Sequence, residues 1–484
     1  MGHHSRAAAV VDELDAEYQR SVANLREDLS AFLATGTPPD PGRRAGRAYA
    51  YPELRLTYAG KGSPLRLPRA FARFSQSGVY ASTITRPDLF RNYLTEQLSL
   101  LLGDFDVEVE VARSDQEIPF PYILDGSVDL GLSWEAANDI ARHFPTTELA
   151  TIGDEIADGL WSPDRTPRRP LTLFDGARTD FSLARLAHYT GSPADCVQPY
   201  VLFTNYHRYV DEFVLWGAAR LADADSPFES LVCPGGVVIT AQSEDPARVA
   251  AESPWRRHQM PAYHLVGRER RGVSLINIGV GPSNAKNITD HLAVLRPEAW
   301  LMIGHCGGLR ATQTIGDYVL AHAYLRDDKV LDEVLPPEIP IPSIAEVQVA
   351  LQRAAERITG ESGDELKKRL RTGTIVTTDD RNWELHYTKS ALRFNQSRAV
   401  AIDMESATIA AQGYRFRTPY GTLLCVSDKP MHGEIKLPGQ ANAFYERAIS
   451  QHLRIGILAM DLLREEGHRL HSRKLRSFDE PPFR

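Results

Sequence analysis

The chain has 484 residues, of which 43% are hydrophobic and 24% are charged, and its formal net charge at pH 7 is −8. This length predicts two or three domains with a substantial core, and the composition is ordinary for a globular protein. The negative charge argues against general nucleic-acid binding, so any phosphate site must be local. We expect a cytoplasmic protein, because the sequence shows no apolar stretch of about 20 residues and no signal-peptide core.

The N-terminal region begins with an amphipathic pattern. Apolar residues recur in steps of three and four along residues 7–34, which places them on one helical face, and Gly36 and Pro38 then stop the helix. Such a helix needs a partner surface, which is either the core of an N-terminal domain or a second subunit.

Residues 1–160 are predicted to form a smaller α/β or α+β domain, because strand-like and helix-like periods alternate along them. The predicted strands are 53–58, 78–85, 107–114 and 128–134. No glycine-rich turn follows them, which argues against a dinucleotide-binding fold. Residues 161–199 open with WSPDRTPRRP, whose three prolines resist regular structure, and they predict a linker to a second domain at 200–484.

The four cysteines show no pairing pattern. Cys196, Cys233, Cys306 and Cys425 form neither a CxxC motif nor a Cys/His cluster. We therefore expect reduced core thiols and no metal site.

The second domain is organised around residues 398–430. Ala399–Ile402 is predicted to be a buried strand, Ser406–Gln412 a helix that Gly413 ends, and Gly421–Val426 a second buried strand. This is a strand, helix, strand unit.

Acidic residues follow both of these strands. In parallel α/β sheets the carboxyl ends of the strands border one crevice, so Met404, Glu405 and Asp428 are expected to face one cavity. Two alternatives stay open: Asp428 caps the next helix, and Glu405 complements a helix dipole.

Two glycine-rich turns precede this unit. The predicted strand 275–278 runs into a turn with Gly281 and Ser283, where a helix N-terminus can attract an anion. A dinucleotide site would need an acid after the next strand, but the strand 300–303 ends in the glycine-rich run 304–308.

The Asp-Met-Glu-Ser run at 403–406, the Ser-Asp pair at 427–428 and the two glycine-rich strand ends together resemble the hexameric class of purine nucleoside phosphorylases and nucleosidases. The resemblance covers roughly residues 270–460 and implies an α/β fold with a mixed sheet flanked by helices. It implies that Met404 and Glu405 hold the ribose and that Asp428 donates a proton to purine N7. Both glycine-rich turns would line the sugar, through Gly281, Ser283 and Gly307.

The resemblance also bears on the nucleophile. In phosphorylases of this family an Arg and a Ser near the second turn hold inorganic phosphate, and Met302 and His305 occupy those places here. Met cannot replace a charged bidentate contact, so water is the expected nucleophile, with His305 close to it.

Base and phosphate contacts come from other segments. By resemblance, Asn382 and Trp383 hold the purine, whereas the alternative is a capped helix with Trp383 in the core. The candidates for the 5′-phosphate are His207, Arg208, Arg381 and Lys286. The segment around His207 is equally compatible with an ordinary helix.

The resemblance as a whole implies hydrolysis of AMP to adenine and ribose 5-phosphate, in purine salvage and adenylate-pool control, with no cofactor for catalysis. It also implies a homohexamer, with MgATP as activator and phosphate as inhibitor acting through a regulatory N-terminal domain. The alternatives are a purine nucleoside phosphorylase and a non-catalytic nucleotide sensor.

Overall fold

The computed structural model describes residues 2–61, 69–124, 134–162, 168–434, 441–467, 470 and 479–484. The chain divides into two compact units, Met1–Ala184 with Arg476–Arg484, and Arg185–Leu475. The boundary after Ala184 falls within the predicted linker at 161–199, although residues 176–190 of that segment form a helix despite the prolines that precede them.

Unit 1 combines helices with its own sheet, as predicted for an N-terminal α+β domain. Its elements are α1 (His3–Thr35), α2 (Pro41–Ala45), β1 (Ala50–Tyr58), β2 (Gly78–Thr83), α3 (Arg91–Asp104), β3 (Val107–Glu117), α4 (Trp134–His143), β4 (Arg169–Pro170) and the first part of α5 (Gly176–Thr190), whose last residues belong to unit 2. The strand order is β3-β1-β2-β4. The strand predicted at 128–134 lies outside the described residues, apart from Trp134, with which α4 begins.

The long helix α1 belongs to the core of unit 1. Its buried side chains include Leu14, Tyr18 and Leu25, and its apolar face packs on Tyr49 and Phe144. The core alternative for this helix is therefore confirmed. The residue that ends it is Gly36, whose φ of 69° is a left-handed conformation that glycine adopts readily.

Unit 2 carries a larger mixed sheet. Its strands are β5 (Tyr200–Thr204), β6 (Phe228–Cys233), β7 (Val237–Ile239), β8 (Ala262–Gly267), β9 (Val273–Asn277), β10 (Ala299–Gly308), β11 (Tyr318–Asp327), β12 (Leu370–Thr378), β13 (Ala401–Asp403) and β14 (Tyr420–Asp428). The helices are α6 (His207–Leu221), α7 (Pro246–Glu252), α8 (Pro282–Leu292), α9 (Ala345–Thr359), α10 (Gly363–Arg369), α11 (Tyr387–Ser397), α12 (Ser406–Phe416) and α13 (Ala441–Glu466).

Helices cover both faces of this sheet. A Cβ at Gly413 of α12 would lie 2.9 Å from Trp300 Nε1, whereas one at Gly456 of α13 would lie 3.1 Å from Ile303 Cγ2. Residues 300 and 303 of β10 point to opposite faces, since side chains alternate along a strand. The mixed sheet flanked by helices is therefore confirmed.

The sheet closes on itself at one end. Its order is β13-β12-β11-β14-β10-β5-β9-β8-β6-β7, and β13 pairs with β10 as well as with β12. The strands β10, β14, β11, β12 and β13 thus form a closed ring, in which β13 runs antiparallel to β10.

Gly307 is the residue at which the ring joins its two acid-bearing strands. It pairs with Ile402 of β13 on one side and with Asp428 of β14 on the other. The sequence predicted that Glu405 and Asp428 both follow parallel strands. This part of the prediction is wrong, because β13 runs antiparallel to β10. Ring closure instead places β13 and β14 on opposite edges of β10 at Gly307.

Gly413 does not end the helix, contrary to the sequence-based prediction. The helix α12 continues to Phe416, and Arg417 ends it in a left-handed conformation with φ 57°. A Cβ at Gly413 would lie 2.5 Å from Tyr420 Cδ1 and 2.9 Å from the carbonyl oxygen of Thr418. Glycine is therefore required for close packing rather than for capping.

Gly413→Ala is expected to destabilise unit 2 by about 1–3 kcal/mol through overpacking, which would lower the Tm in thermal unfolding. The matched control is Gly217→Ala in α6, where the nearest atom, Leu265 Cδ1, would be 3.4 Å from the new Cβ. That control should be neutral or gain about 0.5–1 kcal/mol from helix propensity. Equal Tm values for the two variants would contradict the packing role.

Candidate active site

Glu405 is the best-anchored acid of the site. It is fully buried at the N-terminus of α12. Its Oε1 accepts a hydrogen bond from the Gly281 amide at 2.6 Å, and its Oε2 accepts one from Asn205 Nδ2 at 2.8 Å. Gly281 holds a φ of 121°, which favours glycine, at the start of α8. Two loops that follow strands therefore fix both oxygens.

Asp403 fixes the backbone next to Glu405 through its hydrogen bonds. Its Oδ1 accepts from Thr377 Oγ1 at 2.6 Å, and its Oδ2 accepts from the Ser406 amide at 2.9 Å and from the Ser406 hydroxyl. Thr377 Oγ1 in turn accepts from the Ala407 amide at 2.8 Å. These bonds satisfy amides in the first turn of α12 and fix the position at which Glu405 enters the site.

Burial governs the charge of this pair. Desolvation, and then the nearby Asp403 charge, raise the pKa of Glu405 to about 8, although the bonds from Gly281 and Asn205 oppose the shift. Burial likewise raises the pKa of Asp403 to about 6. A negative charge on Asp403 disfavours a second one on Glu405, because like charges close together in a buried site repel. Hydroxyl donors from a ligand would favour charge on Glu405.

Asp428 ends β14 and is half-buried. The Ser427 hydroxyl donates to Asp428 Oδ1 at 2.5 Å. The short turn Pro430–His432 that follows has Lys429 at its N-cap position, so Asp428 does not cap it. The helix-capping alternative for Asp428 therefore does not describe this turn.

The two acids lie at different heights along β10. A Cβ at Gly304 would lie 2.8 Å from Oδ1 of Asn205, the residue that holds Glu405, whereas Asp428 pairs with Gly307. Three residues of a strand span about 10 Å, which is close to the length of a nucleoside. Glu405 and Asp428 thus flank the segment 304–307 of β10.

His305 lies between these two heights. Its ring is largely buried, with 8% of its surface exposed. The ring centroid is 5.2 Å from that of Tyr206 and 5.4 Å from that of Tyr209. The neighbouring Met302, at the predicted phosphate position, is fully buried.

The residues predicted to contact the sugar lie in different environments. Met404 is half-buried beside Glu405, Gly307 is half-buried at the junction of the ring, and Ser283 is exposed in the first turn of α8. The Gly281 amide donates to Glu405 instead of standing open to a ligand. The anion expected at this helix N-terminus is therefore the protein's own acid.

The two predicted purine contacts lie in different environments, since Trp383 is buried and Asn382 is exposed. Trp383 is 8% exposed and packs on Phe394 with ring centroids 5.1 Å apart, in an apolar cluster that includes Ile402. Arg381 and Asn382 are exposed. The contacts of Trp383 are those of the core alternative, and its stacking on a purine stays a prediction.

The phosphate candidates occupy three settings. Lys286 Nζ is 2.6 Å from Asp290 Oδ2 within α8, so it has a carboxylate partner already. His207 stacks on Trp255 at 4.2 Å, and burial lowers its pKa. Arg208 is half-buried beside it in the first turn of α6. Their contact with a phosphate stays a prediction.

Sequence reasoning missed Asn205 and Asp403. Asn205 directly follows β5 and Asp403 ends β13, so a search for polar residues at strand ends would have found both. In the described part of the chain, no group of three His, Cys, Asp or Glu side chains could hold a metal ion. No described helix is long and apolar enough to cross a membrane. The thiols are free, and three of the four are buried.

Glu405→Gln is expected to raise the Tm, and to raise it more near pH 9 than near pH 5. The pKa of Glu405 is higher in the folded state than its ordinary value of 4.5, so the wild type loses stability as pH rises through about 8 and a buried charge forms. The new amide can bond Asn205 after a flip, because Asn205 Oδ1 has no hydrogen-bond partner among the described residues.

The matched control is Glu365→Gln at an exposed position of α10. It should leave the pH dependence of the Tm unchanged. A pH-independent Tm difference between Glu405→Gln and the wild type would contradict the buried charge.

Two family models match separate parts of the chain. Residues 9–168 match the family model "Bacterial AMP nucleoside phosphorylase N-terminus", and residues 237–459 match the phosphorylase superfamily. The AMP nucleosidase of Escherichia coli strain K12 is 62% identical over 477 residues, which are 99% of this chain and 98% of that protein.

More distant similarities include a guanosine phosphorylase and a solved structure of another AMP nucleosidase. A guanosine phosphorylase of Halorubrum lacusprofundi is 27% identical over 197 residues, 39% of this chain and 77% of that protein. A crystal structure of AMP nucleosidase from Bacteroides thetaiotaomicron is 28% identical with a TM-score of 0.43, over 60% of this chain and 98% of that one. On the near full-length identity to the Escherichia coli protein, the chain belongs to the AMP nucleosidase family.

Proposed function

We propose that this protein hydrolyses the N-glycosidic bond of AMP and releases adenine and ribose 5-phosphate. The observation that carries the proposal is a buried glutamate, Glu405, held through both carboxyl oxygens on one side of β10, with Asp428 paired to the same strand on the other side. The 62% identity to an AMP nucleosidase over 99% of the chain supports the choice of substrate.

In this mechanism Asp428 is the general acid. Adenine leaves poorly as an anion, and a proton delivered to N7 relieves that barrier by roughly 100- to 10,000-fold. Asp428 would accept a hydrogen bond from Ser427 while its other oxygen donates to the purine. The spacing along β10 suits a purine at Gly307 and a ribose at Gly304.

Glu405 binds the sugar. Its carboxylate would accept hydrogen bonds from the ribose 2′- and 3′-hydroxyls, and Met404 would pack on the sugar face. A negative charge at this position stabilises the oxocarbenium-like transition state. The bonds from Gly281 and Asn205 keep the carboxyl group oriented before the substrate arrives.

Water is the proposed nucleophile. At the place where the related phosphorylases hold phosphate with an Arg, this chain has the buried Met302, whose thioether offers no charged donor. The 5′-phosphate of AMP would be bound by Arg208, His207 and Arg381, with Lys286 available only if it leaves Asp290. Each charged bond contributes about 1.5–3 kcal/mol, so two would give strong preference over adenosine.

The wider setting of the enzyme is also a proposal. We propose a cytoplasmic homohexamer in purine salvage that needs no cofactor for catalysis. MgATP would activate it and phosphate would inhibit it through unit 1. The match of residues 9–168 to the family model of bacterial AMP nucleoside phosphorylase N-termini supports only that unit 1 is a distinct domain of this family.

Asp428→Asn is expected to lower kcat for adenine release from AMP by roughly 100- to 10,000-fold with little change in AMP binding, because the proton donor is lost. The matched substrate is p-nitrophenyl ribose 5-phosphate, whose leaving group needs no proton. On it Asp428→Asn should stay active, whereas Glu405→Gln should be slow on both substrates. Equal losses by Asp428→Asn on both would contradict the role in N7 protonation.

A product assay separates hydrolysis from the alternatives. With AMP, assayed in parallel with and without phosphate in the buffer, the expected sugar product is ribose 5-phosphate in both, because water attacks C1′. Ribose 1,5-bisphosphate would identify a phosphorylase, and the absence of any adenine would identify a nucleotide sensor. Incubation in ¹⁸O-labelled water should place the label on C1′ of the product.

A further inference from the structure

Asp428 lies at an irregular point of the sheet. The pairing of β14 with β10 runs up to Val426, opposite Cys306, and the next pair is Asp428 with Gly307. Ser427 is therefore an extra residue on β14, which makes this point a β-bulge. A regular ladder would place Ser427 opposite Gly307, so the bulge shifts Asp428 by one position along β10.

Strand pairing holds the bulge from one side only. Among the described residues, the ladder between β14 and β11 reaches no further than Cys425, three residues before Asp428. β14 itself ends at Asp428, so no further ladder bond fixes the acid from its C-terminal side. A bulge bends the strand that contains it, and the direction of Asp428 therefore depends on the residues that follow.

The residues after Asp428 form a closed turn, 429–434. The Lys429 amide donates to the Glu434 carbonyl oxygen at 2.6 Å, and the Glu434 amide donates to the Lys429 carbonyl oxygen at 3.2 Å. Lys429 Nζ adds a third bond, which it donates to Glu434 Oε1 at 2.6 Å. The first residue after the acid is thus tied three times to Glu434.

The same turn packs on the end of β10. A Cβ at Gly308 would lie 3.3 Å from Lys429 Cγ, and a Cβ at Gly307 would lie 3.5 Å from Pro430 Cδ. Both residues that follow Asp428 therefore lie against the two glycines at which β10 meets the acid. A displacement of Lys429 from this position would also move the backbone of Asp428, because one peptide bond joins them.

The ion pair within the turn keeps Lys429 in this position. The Lys429 side chain is 7% exposed, whereas the Glu434 side chain is 49% exposed. A buried ammonium group is costly without a partner. Without the Glu434 carboxylate, we expect the Lys429 side chain to move towards water and to pull the end of the bulge with it.

We propose that Lys429, held against Gly308 by its ion pair with Glu434, is a positioning residue that aims Asp428 at the purine. Proton transfer needs donor and acceptor within about 2.6–3.2 Å, and a misplacement of about 1 Å can cost about 100-fold in rate. This inference rests on the proposed hydrolysis of AMP, in which Asp428 is the general acid.

Glu434→Ala tests this role, with Asp364→Ala as the matched control. The first change removes the partner of Lys429 Nζ and keeps both backbone bonds of the turn. The control removes the partner of Lys367 Nζ, 3.2 Å away on the exposed surface of α10. On AMP we expect kcat to fall by about 10- to 100-fold in Glu434→Ala with an unchanged KM, and to stay at the wild-type value in Asp364→Ala.

The leaving group separates positioning from damage to the fold. Nitrophenolate needs no proton, so Glu434→Ala should keep wild-type kcat on p-nitrophenyl ribose 5-phosphate. In an Asp428→Asn background, Glu434→Ala should add no further loss on AMP, because both changes act on one proton transfer.

A second change at Lys429 removes the reason for its displacement. Met is unbranched like the stem of Lys but has no charge that needs a partner, so it can stay buried against Gly308. We expect Lys429→Met, added to Glu434→Ala, to restore most of the kcat on AMP that Glu434→Ala alone loses.

Four outcomes would overturn the inference: a wild-type kcat on AMP in Glu434→Ala, equal losses on both substrates, an additive loss in the Asp428→Asn background, or no recovery on adding Lys429→Met. In each case, adenine release by the wild type would leave the proposed hydrolysis standing. If the wild type released no adenine, the proposed function itself would fail, and the role of Lys429 with it.

Discussion

The site depends on one unfavourable burial, the enclosure of the Glu405 carboxyl group away from water. Desolvation disfavours the charged form of Glu405, and the hydrogen bonds from Gly281 and Asn205 offset only part of this penalty. Asp403 adds a second buried acid and in return fixes the first turn of α12. A fold that tolerates this pair keeps a buried acid oriented in advance for the proposed binding of the sugar, at the expense of stability that a neutral residue would provide.

Much of the fold could be predicted from local pattern. The period of α1 and the left-handed Gly36 are properties of short stretches, and so are the apolar runs of β10 and β14. The acids Glu405 and Asp428 could be singled out because polar residues at strand ends border ligand sites in α/β sheets. Their roles came from resemblance to a family and stay proposals.

What escaped prediction depends on contacts between distant segments. The antiparallel pairing of β13 with β10 has no signature in three residues of strand. Gly413 has the composition of a helix stop, and only its packing against Tyr420 explains why the helix continues. The hydrogen bonds among Tyr209, His305 and His452 join α6, β10 and α13. The spacing of apolar residues in the sequence cannot distinguish such buried hydrogen bonds from an ordinary apolar core.

The short strand that closes the ring also has a consequence for folding. β13 completes both of its pairings only when β10 and β12 are in place, and its partners on β10 are far away in sequence. Contacts of long sequence separation require costly loop closure and tend to form late. Because Gly307 joins both acid-bearing strands where the ring closes, the proposed site is complete only once β13 has paired, and we expect turnover to return only with the last step of refolding.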